Sequence, residues 1–152
     1  VSEVKSGYAG GDEPNPNYHN HGTHAEVVQV TYDENVITLV ELLEIYFGTH
    51  DPTTTNQPGT ADQGSAYRPI ILCTENELEL AMQAKETAQH NWDDPIITEI
   101  KPLDVFYPAE DYHQNFYQQN QFLTIISFFL IYVLTKCSNI PNGISFRPYH
   151  IT

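Results

Sequence analysis

Apolar positions divide the chain into segments of recognisable period. From Ala25 to Tyr32, Val27, Val28, Val30 and Tyr32 supply β-branched and aromatic surface, which predicts a strand. Thr38-Leu39-Val40-Glu41 has a capping-box pattern, and Leu39, Leu42, Leu43, Tyr46 and Phe47 recur at helical spacing, predicting a helix from about Leu39 to Phe47. Ile70 to Cys73 is a short apolar run bounded by Pro69 and Thr74, expected as a buried strand. A second capping box, Thr74 to Glu77, opens a helix to about Gln89, with Leu78, either Ala81 or Met82, Ala84 and Ala88 on its apolar face. Ile96 to Ile100 reads as a strand ended by Pro102, and Pro108-Ala109-Glu110-Asp111 as the start of a helix running to about Gln119. This alternation predicts a two-layer α and β domain with helices packed on a sheet.

Two stretches have no such period. Gly48 to Tyr67 is rich in Pro, Thr, Asn, Gln and Gly, and a loop of that length in a compact domain is usually functional. Gly7 to Glu26, with Gly7, Gly10, Gly11, Pro14 and Pro16, reads as a site-forming loop that delivers Tyr8 and leaves Glu26 at the mouth of an apolar strand. From Phe122 to Leu134 the chain is apolar and uncharged, too short for the roughly 20 residues a bilayer needs.

Composition narrows the function. Residues 1–152 suffice for one domain with a core. Twenty Asp and Glu against 6 Lys and Arg give a formal charge of −14, which argues against nucleic acid and against an anionic membrane as partners. Two cysteines, Cys73 and Cys137, are too few for a disulfide framework and point to a reducing compartment. With no targeting signal visible, the cytoplasm is the expected location.

The residues permit two chemistries. His19, His21, His24 and Glu26 crowd one short stretch and suggest a metal-binding module, although the glycines and the second motif of a cupin site are missing. Alternatively, a Glu26 carboxyl kept partly neutral by apolar surroundings donates a proton, and the phenols of Tyr8 and Tyr67 hydrogen-bond a neutral, dipolar oxygen. Phosphate is a poor fit to such a site, since it calls for cationic groups or helix N-termini.

Gly7-Tyr8-Ala9-Gly10-Gly11, Asn15-Pro16-Asn17-Tyr18, His24-Ala25-Glu26-Val27-Val28, His50-Asp51-Pro52-Thr53, Asp62-x-Gly64-x-x-Tyr67-Arg68 and Phe106-Tyr107-Pro108-Ala109-Glu110-Asp111-Tyr112-His113-Gln114 resemble, in order, the motifs of the peptide methionine sulfoxide reductase A family. The resemblance covers roughly residues 1–119 and implies a two-layer ferredoxin-like α/β (α+β) sandwich with long loops, leaving 120–152 as a divergent tail. It implies an enzyme that reduces the (S)-sulfoxide of methionine, free or in proteins and peptides, and so repairs oxidative damage. A cysteine thiolate attacks the sulfur, methionine leaves, and the resulting sulfenic acid is reduced by thioredoxin or by dithiothreitol. It further implies no bound cofactor or metal and a monomer that meets oxidised methionine and thioredoxin. By matching motif, Glu26 protonates the sulfoxide oxygen, Tyr8 and Tyr67 hydrogen-bond it, and Asp62 fixes the loop and a water.

The family's nucleophile lies in a Gly-Cys-Phe-Trp motif before Gly-Tyr-x-Gly-Gly, whereas this sequence begins at Val1. The expectation is therefore a fragment that lacks the nucleophilic cysteine and the first strand and helix, inactive by itself. Cys73 is expected to be an inert core thiol. Cys137, where family members often have a resolving cysteine, is expected to have nothing to resolve. Ala66 and Pro69 stand where the family usually has glutamine and serine.

Overall fold

Tyr8 and Glu26 are brought together by the longest strand pairing among the described residues. In a computed structural model that describes residues 1–55, 64–114 and the backbone of 145–146, β1 (Glu3–Ala9) runs antiparallel to β2 (Ala25–Thr31), in register from Glu3 opposite Thr31 to Ala9 opposite Ala25. α1 (Leu39–Gly48) follows, then β3 (Ile70–Cys73), α2 (Leu78–Gln89), β4 (Glu99–Pro102), β5 (Phe106–Pro108) and the two-residue β6 (Ser145–Phe146). The sheet order is β4-β3-β6-β2-β1-β5. β6 is antiparallel to both β2 and β3, so those two are parallel, as are β3 and β4. Parallel strands of one sheet need long crossovers, and α1 between β2 and β3 and α2 between the neighbours β3 and β4 provide them.

Both helices lie on one face. Val28, Val30, Ile71 and Cys73 of the sheet pack there against Leu39, Leu42, Leu43, Tyr46 and Phe47 of α1 and Ala81 and Ala88 of α2. The opposite face buries Ala9, Ala25, Val27, Ile70 and Leu72, with Leu103 and Phe106 packed against them. This is the two-layer α/β arrangement expected. Both capping boxes form: the Thr38 hydroxyl accepts from the Glu41 N–H at 3.2 Å while the Glu41 carboxylate accepts from the Thr38 N–H at 2.7 Å, and Thr74 and Glu77 repeat the pattern ahead of α2. Ala81, and not the exposed Met82, is the buried member of the α2 face.

The structure differs from expectation at three places. Glu3–Ala9 is a strand and not part of a loop; Gly7, read as a turn signal, is required by close packing, since a Cβ there would collide with the Phe106 ring and the Tyr107 carbonyl. The strand predicted at Ile96 starts only at Glu99, because the Ile96 N–H is taken by the Gln89 side chain at 2.8 Å and the Ile97 N–H by the Pro52 carbonyl at 2.9 Å. Pro108 ends β5 and does not begin a helix; a single 3-10 turn, Asp111–His113, follows. The predicted continuation to Gln119, the apolar run 122–134 and Cys137 lie outside the described residues. No helix among the described residues is long and apolar enough to cross a membrane.

Leu43 is fully buried between α1 and the sheet. Leu43→Ala is expected to cost about 2–5 kcal/mol in urea unfolding; a loss below 1 kcal/mol would place Leu43 outside the core.

Candidate active site

Side chains directly opposite one another in an antiparallel pair project from the same face. The register sets Tyr8 opposite Glu26 on one side and opposite Tyr107 of β5 on the other, so Tyr107, Tyr8 and Glu26 form a row across three strands. By alternation Glu26 shares its face with Val28 and Val30. Tyr8 is buried and Glu26 half-buried. Burial is the first cause that pushes the Tyr8 phenol well above the ordinary range, followed by its hydrogen bond to Glu110 and the negative charges of Glu110 and Glu26.

Glu110 is the residue that sequence reasoning missed. It is visible in the Pro-Ala-Glu-Asp motif but looks there like a helix-dipole acid. One carboxylate oxygen accepts the Tyr8 hydroxyl at 3.0 Å and the other accepts the Tyr18 N–H at 2.9 Å, while His113 Nε2 lies 3.9 Å away. Burial works against ionisation of Glu110, but donation from Tyr18, from its own amide and from Tyr8, with the nearby His113, holds it below the usual carboxylate range. The turn itself is fastened to β1. Gln114 accepts from the Ser6 N–H and donates to the Ser6 carbonyl, each at 2.9 Å, extending the ladder where β5 stops, and the Ala109 N–H also reaches Ser6 O.

Tyr67 arrives on a 3-10 helix, Ser65–Tyr67, that packs beside β2. Arg68 anchors it: Nε pairs with Glu99 at 3.1 Å, and the guanidinium donates to the carbonyls of Ser65, Gly10 and Thr23. The loop after Tyr8 is thereby tied to the chain before Glu26 and to Tyr67. Asp62 lies outside the described residues.

The alternative metal site does not assemble. His24 is buried with both ring nitrogens engaged, Nδ1 accepting the Gly11 N–H at 3.1 Å and Nε2 donating to the Glu13 carbonyl at 2.8 Å. Gly11 permits that approach, since a Cβ there would strike the backbone of Thr23 and His24. Among the described residues no group of three His, Cys, Asp or Glu side chains converges on a metal position. Cys73 is fully buried, and burial, then the carboxylates of Glu77 and Glu75, pushes its thiol up to about 12, consistent with a packing role. A cleft of about 460 Å³ opens beyond Gly10 and Gly11 over Leu72 and Val105, and neither Glu26, Tyr8 nor Tyr67 lines it.

Comparison with known proteins was consistent across sequence and fold. The family described as peptide methionine sulfoxide reductase matches residues 1–133. The peptide methionine sulfoxide reductase MsrA of Nautilia profundicola is 47% identical over 125 residues, covering 79% of this chain and 71% of the relative. That of Saccharolobus solfataricus is 44% identical over 127 residues, covering 80% and 71%. The crystal structure of Mxr1 from Saccharomyces cerevisiae in its reduced form superimposes with a TM-score of 0.72 at 36% identity, over 78% of this chain and 71% of that one.

The buried phenol has a consequence at high pH. In the unfolded chain Tyr8 ionises near pH 10, while in the folded protein it keeps its proton, so above that pH unfolding releases a proton and alkali favours the unfolded state. The stability advantage of the wild type over Tyr8→Phe is therefore expected to hold below about pH 10 and to shrink above it, by at most about 1.4 kcal/mol per pH unit. Chemical unfolding of both proteins from about two pH units below to about one above the ordinary phenol range measures this. Parallel curves would contradict it.

Proposed function

Since the chain belongs to the peptide methionine sulfoxide reductase family, whose members reduce methionine sulfoxide, we propose that its residues bind the (S)-sulfoxide of methionine and deliver a proton to its oxygen. A sulfoxide is neutral with a strongly dipolar S–O bond. It suits a site made of a carboxylic acid and phenols, where neither partner adds a cation. Glu26 is the acid. Tyr67 donates to the oxygen, and Tyr8 lines the same side as Glu26. Asp62 steadies the loop that ends at Tyr67. The β1–β2 register, which makes Tyr8 and Glu26 direct neighbours, is the observation that supports this reading most.

In the reaction a thiolate attacks the sulfoxide as Glu26 protonates its oxygen, the oxygen passes to the attacking sulfur while its bond to the methionine sulfur breaks, methionine leaves as the thioether, and the attacking sulfur becomes a sulfenic acid. A further thiol, dithiothreitol or thioredoxin, then reduces that acid to regenerate the thiol. Neither Cys73 nor Cys137 stands in a Gly-Cys-Phe-Trp context, so the nucleophile is not among these 152 residues, and they supply the acid and binding half of the site. Residues 1–119 carry that reductase domain. The chain acts as a monomer in the cytoplasm, with no bound cofactor.

Isothermal titration with N-acetyl-methionine (S)-sulfoxide tests the reading. Binding is expected for the S epimer over the R epimer and over methionine, and the double variant Glu26→Ala, Tyr8→Phe is expected to lose about tenfold or more in affinity, the scale of one hydrogen bond to a charged or strongly polar group. Equal binding by the variant would count against it.

A further inference from the structure

Tyr18 and Tyr112 keep 46% and 56% of their surface exposed, and neither belongs to the packing on either face of the sheet. They come from opposite ends of the described chain and meet on His113. Its ring centroid lies 5.0 Å from that of Tyr18 and 4.2 Å from that of Tyr112, tilted by 39° and 46°. The backbone that carries the rings is braced. Tyr18 donates its N–H to Glu110, Asn17 and Asn20 exchange backbone hydrogen bonds around it, and the turn holding Tyr112 and His113 is fastened to β1 by Gln114.

The charge around these rings is negative. Glu110 holds the Tyr18 amide and Asp111 shares the turn, whereas the basic side chains of the described residues are engaged elsewhere: Lys5 with Glu3, Arg68 and Lys101 with Glu99, and Lys85 with the Thr98 carbonyl. An aromatic face attracts a cation through its quadrupole, and a carboxylate close by adds to that attraction. The rings also lie near the candidate site, because the one carboxylate of Glu110 takes the Tyr8 hydroxyl on one oxygen and the Tyr18 amide on the other. An extended chain advances about 3.3–3.6 Å per residue, so the few residues flanking a methionine sulfoxide held beside Tyr8 reach them.

We propose that Tyr18 and Tyr112, beside Glu110, form a subsite for a cationic side chain, arginine or lysine, flanking the oxidised methionine of a polypeptide substrate. The inference rests on the sulfoxide reading above and adds to it the class of polypeptide preferred, one that is basic around the methionine. The formal charge of −14 alone attracts any basic peptide. The subsite differs from that general attraction in depending on the two rings.

Isothermal titration at physiological ionic strength, where distant charges are largely screened, tests it. The probes are pentapeptides with (S)-methionine sulfoxide at the centre and either arginine or glutamine at the flanking positions. The arginine peptide is expected to bind about fivefold tighter or more, the scale of two exposed cation–π contacts. The double variant Tyr18→Leu, Tyr112→Leu keeps the charge and is expected to reduce that ratio about threefold or more, while Tyr18→Phe, Tyr112→Phe keeps the aromatic faces and retains it. An unchanged ratio in the leucine variant, its loss in the phenylalanine variant, or no arginine preference in the wild type overturns the proposal. Should the leucine variant fail to fold, NMR of the wild type decides: the arginine side-chain protons are expected to show ring-current shifts and Overhauser contacts to Tyr18 and Tyr112, and their absence overturns the proposal. Matching pentapeptides with unoxidised methionine separate the two readings. If they bind as well as the sulfoxides, the sulfoxide reading fails, and their own arginine preference with and without the tyrosines still decides the subsite.

Discussion

The candidate site depends on a register, that of β1 against β2. A slip of one residue would send Tyr8 and Glu26 to opposite faces, one under the helices and one under Leu103 and Phe106. The register is held because each face of β2 has its own apolar set: Val28 and Val30 on the helix side, Ala25 and Val27 on the other. Core packing and site geometry are thus the same constraint. The residues that fix the acid beside the phenol are the ones that bury the sheet.

Around that pair the chain uses polar side chains as substitutes for backbone. Gln114 pairs with Ser6 as a strand residue would, Arg68 gathers three carbonyls and one carboxylate, and His24 bridges Gly11 and Glu13. Each joins segments far apart in sequence, which lets extended loops hold a fixed shape with little regular structure of their own. Of the histidine-rich stretch that invites a metal, His24 is consumed in this bracing, and among the described residues no three metal-ligating side chains converge.

Much of the fold was legible in the sequence where periodicity and capping agree. α1, β3 and α2 fall where Leu39, Ile70 and the Thr74 box put them, since those signals are local. β1 was hidden because Gly7 has the same letter whether it bends a turn or admits a neighbouring strand, and only the packing of Phe106 distinguishes the two. Ile96 to Thr98 has strand composition, yet its first amides bond Gln89 and Pro52, partners no local pattern reveals. Of the candidate site, Glu26, Tyr8 and Tyr67 were proposed from ordered motifs and the chemistry of their side chains, and the register sets two of them, Tyr8 and Glu26, opposite one another. Glu110 was in view without a role, because its partners Tyr8 and Tyr18 lie some hundred residues away along the chain.

The central claim is that Glu26, opposite Tyr8 on the sheet, receives the oxygen of an oxidised methionine together with Tyr67. A crystal structure of the protein soaked with N-acetyl-methionine (S)-sulfoxide tests it most directly. The account predicts the sulfoxide oxygen within about 3 Å of the Glu26 carboxyl and of the Tyr67 hydroxyl. A sulfoxide bound instead in the cleft over Leu72 and Val105, with Glu26 untouched, would contradict it.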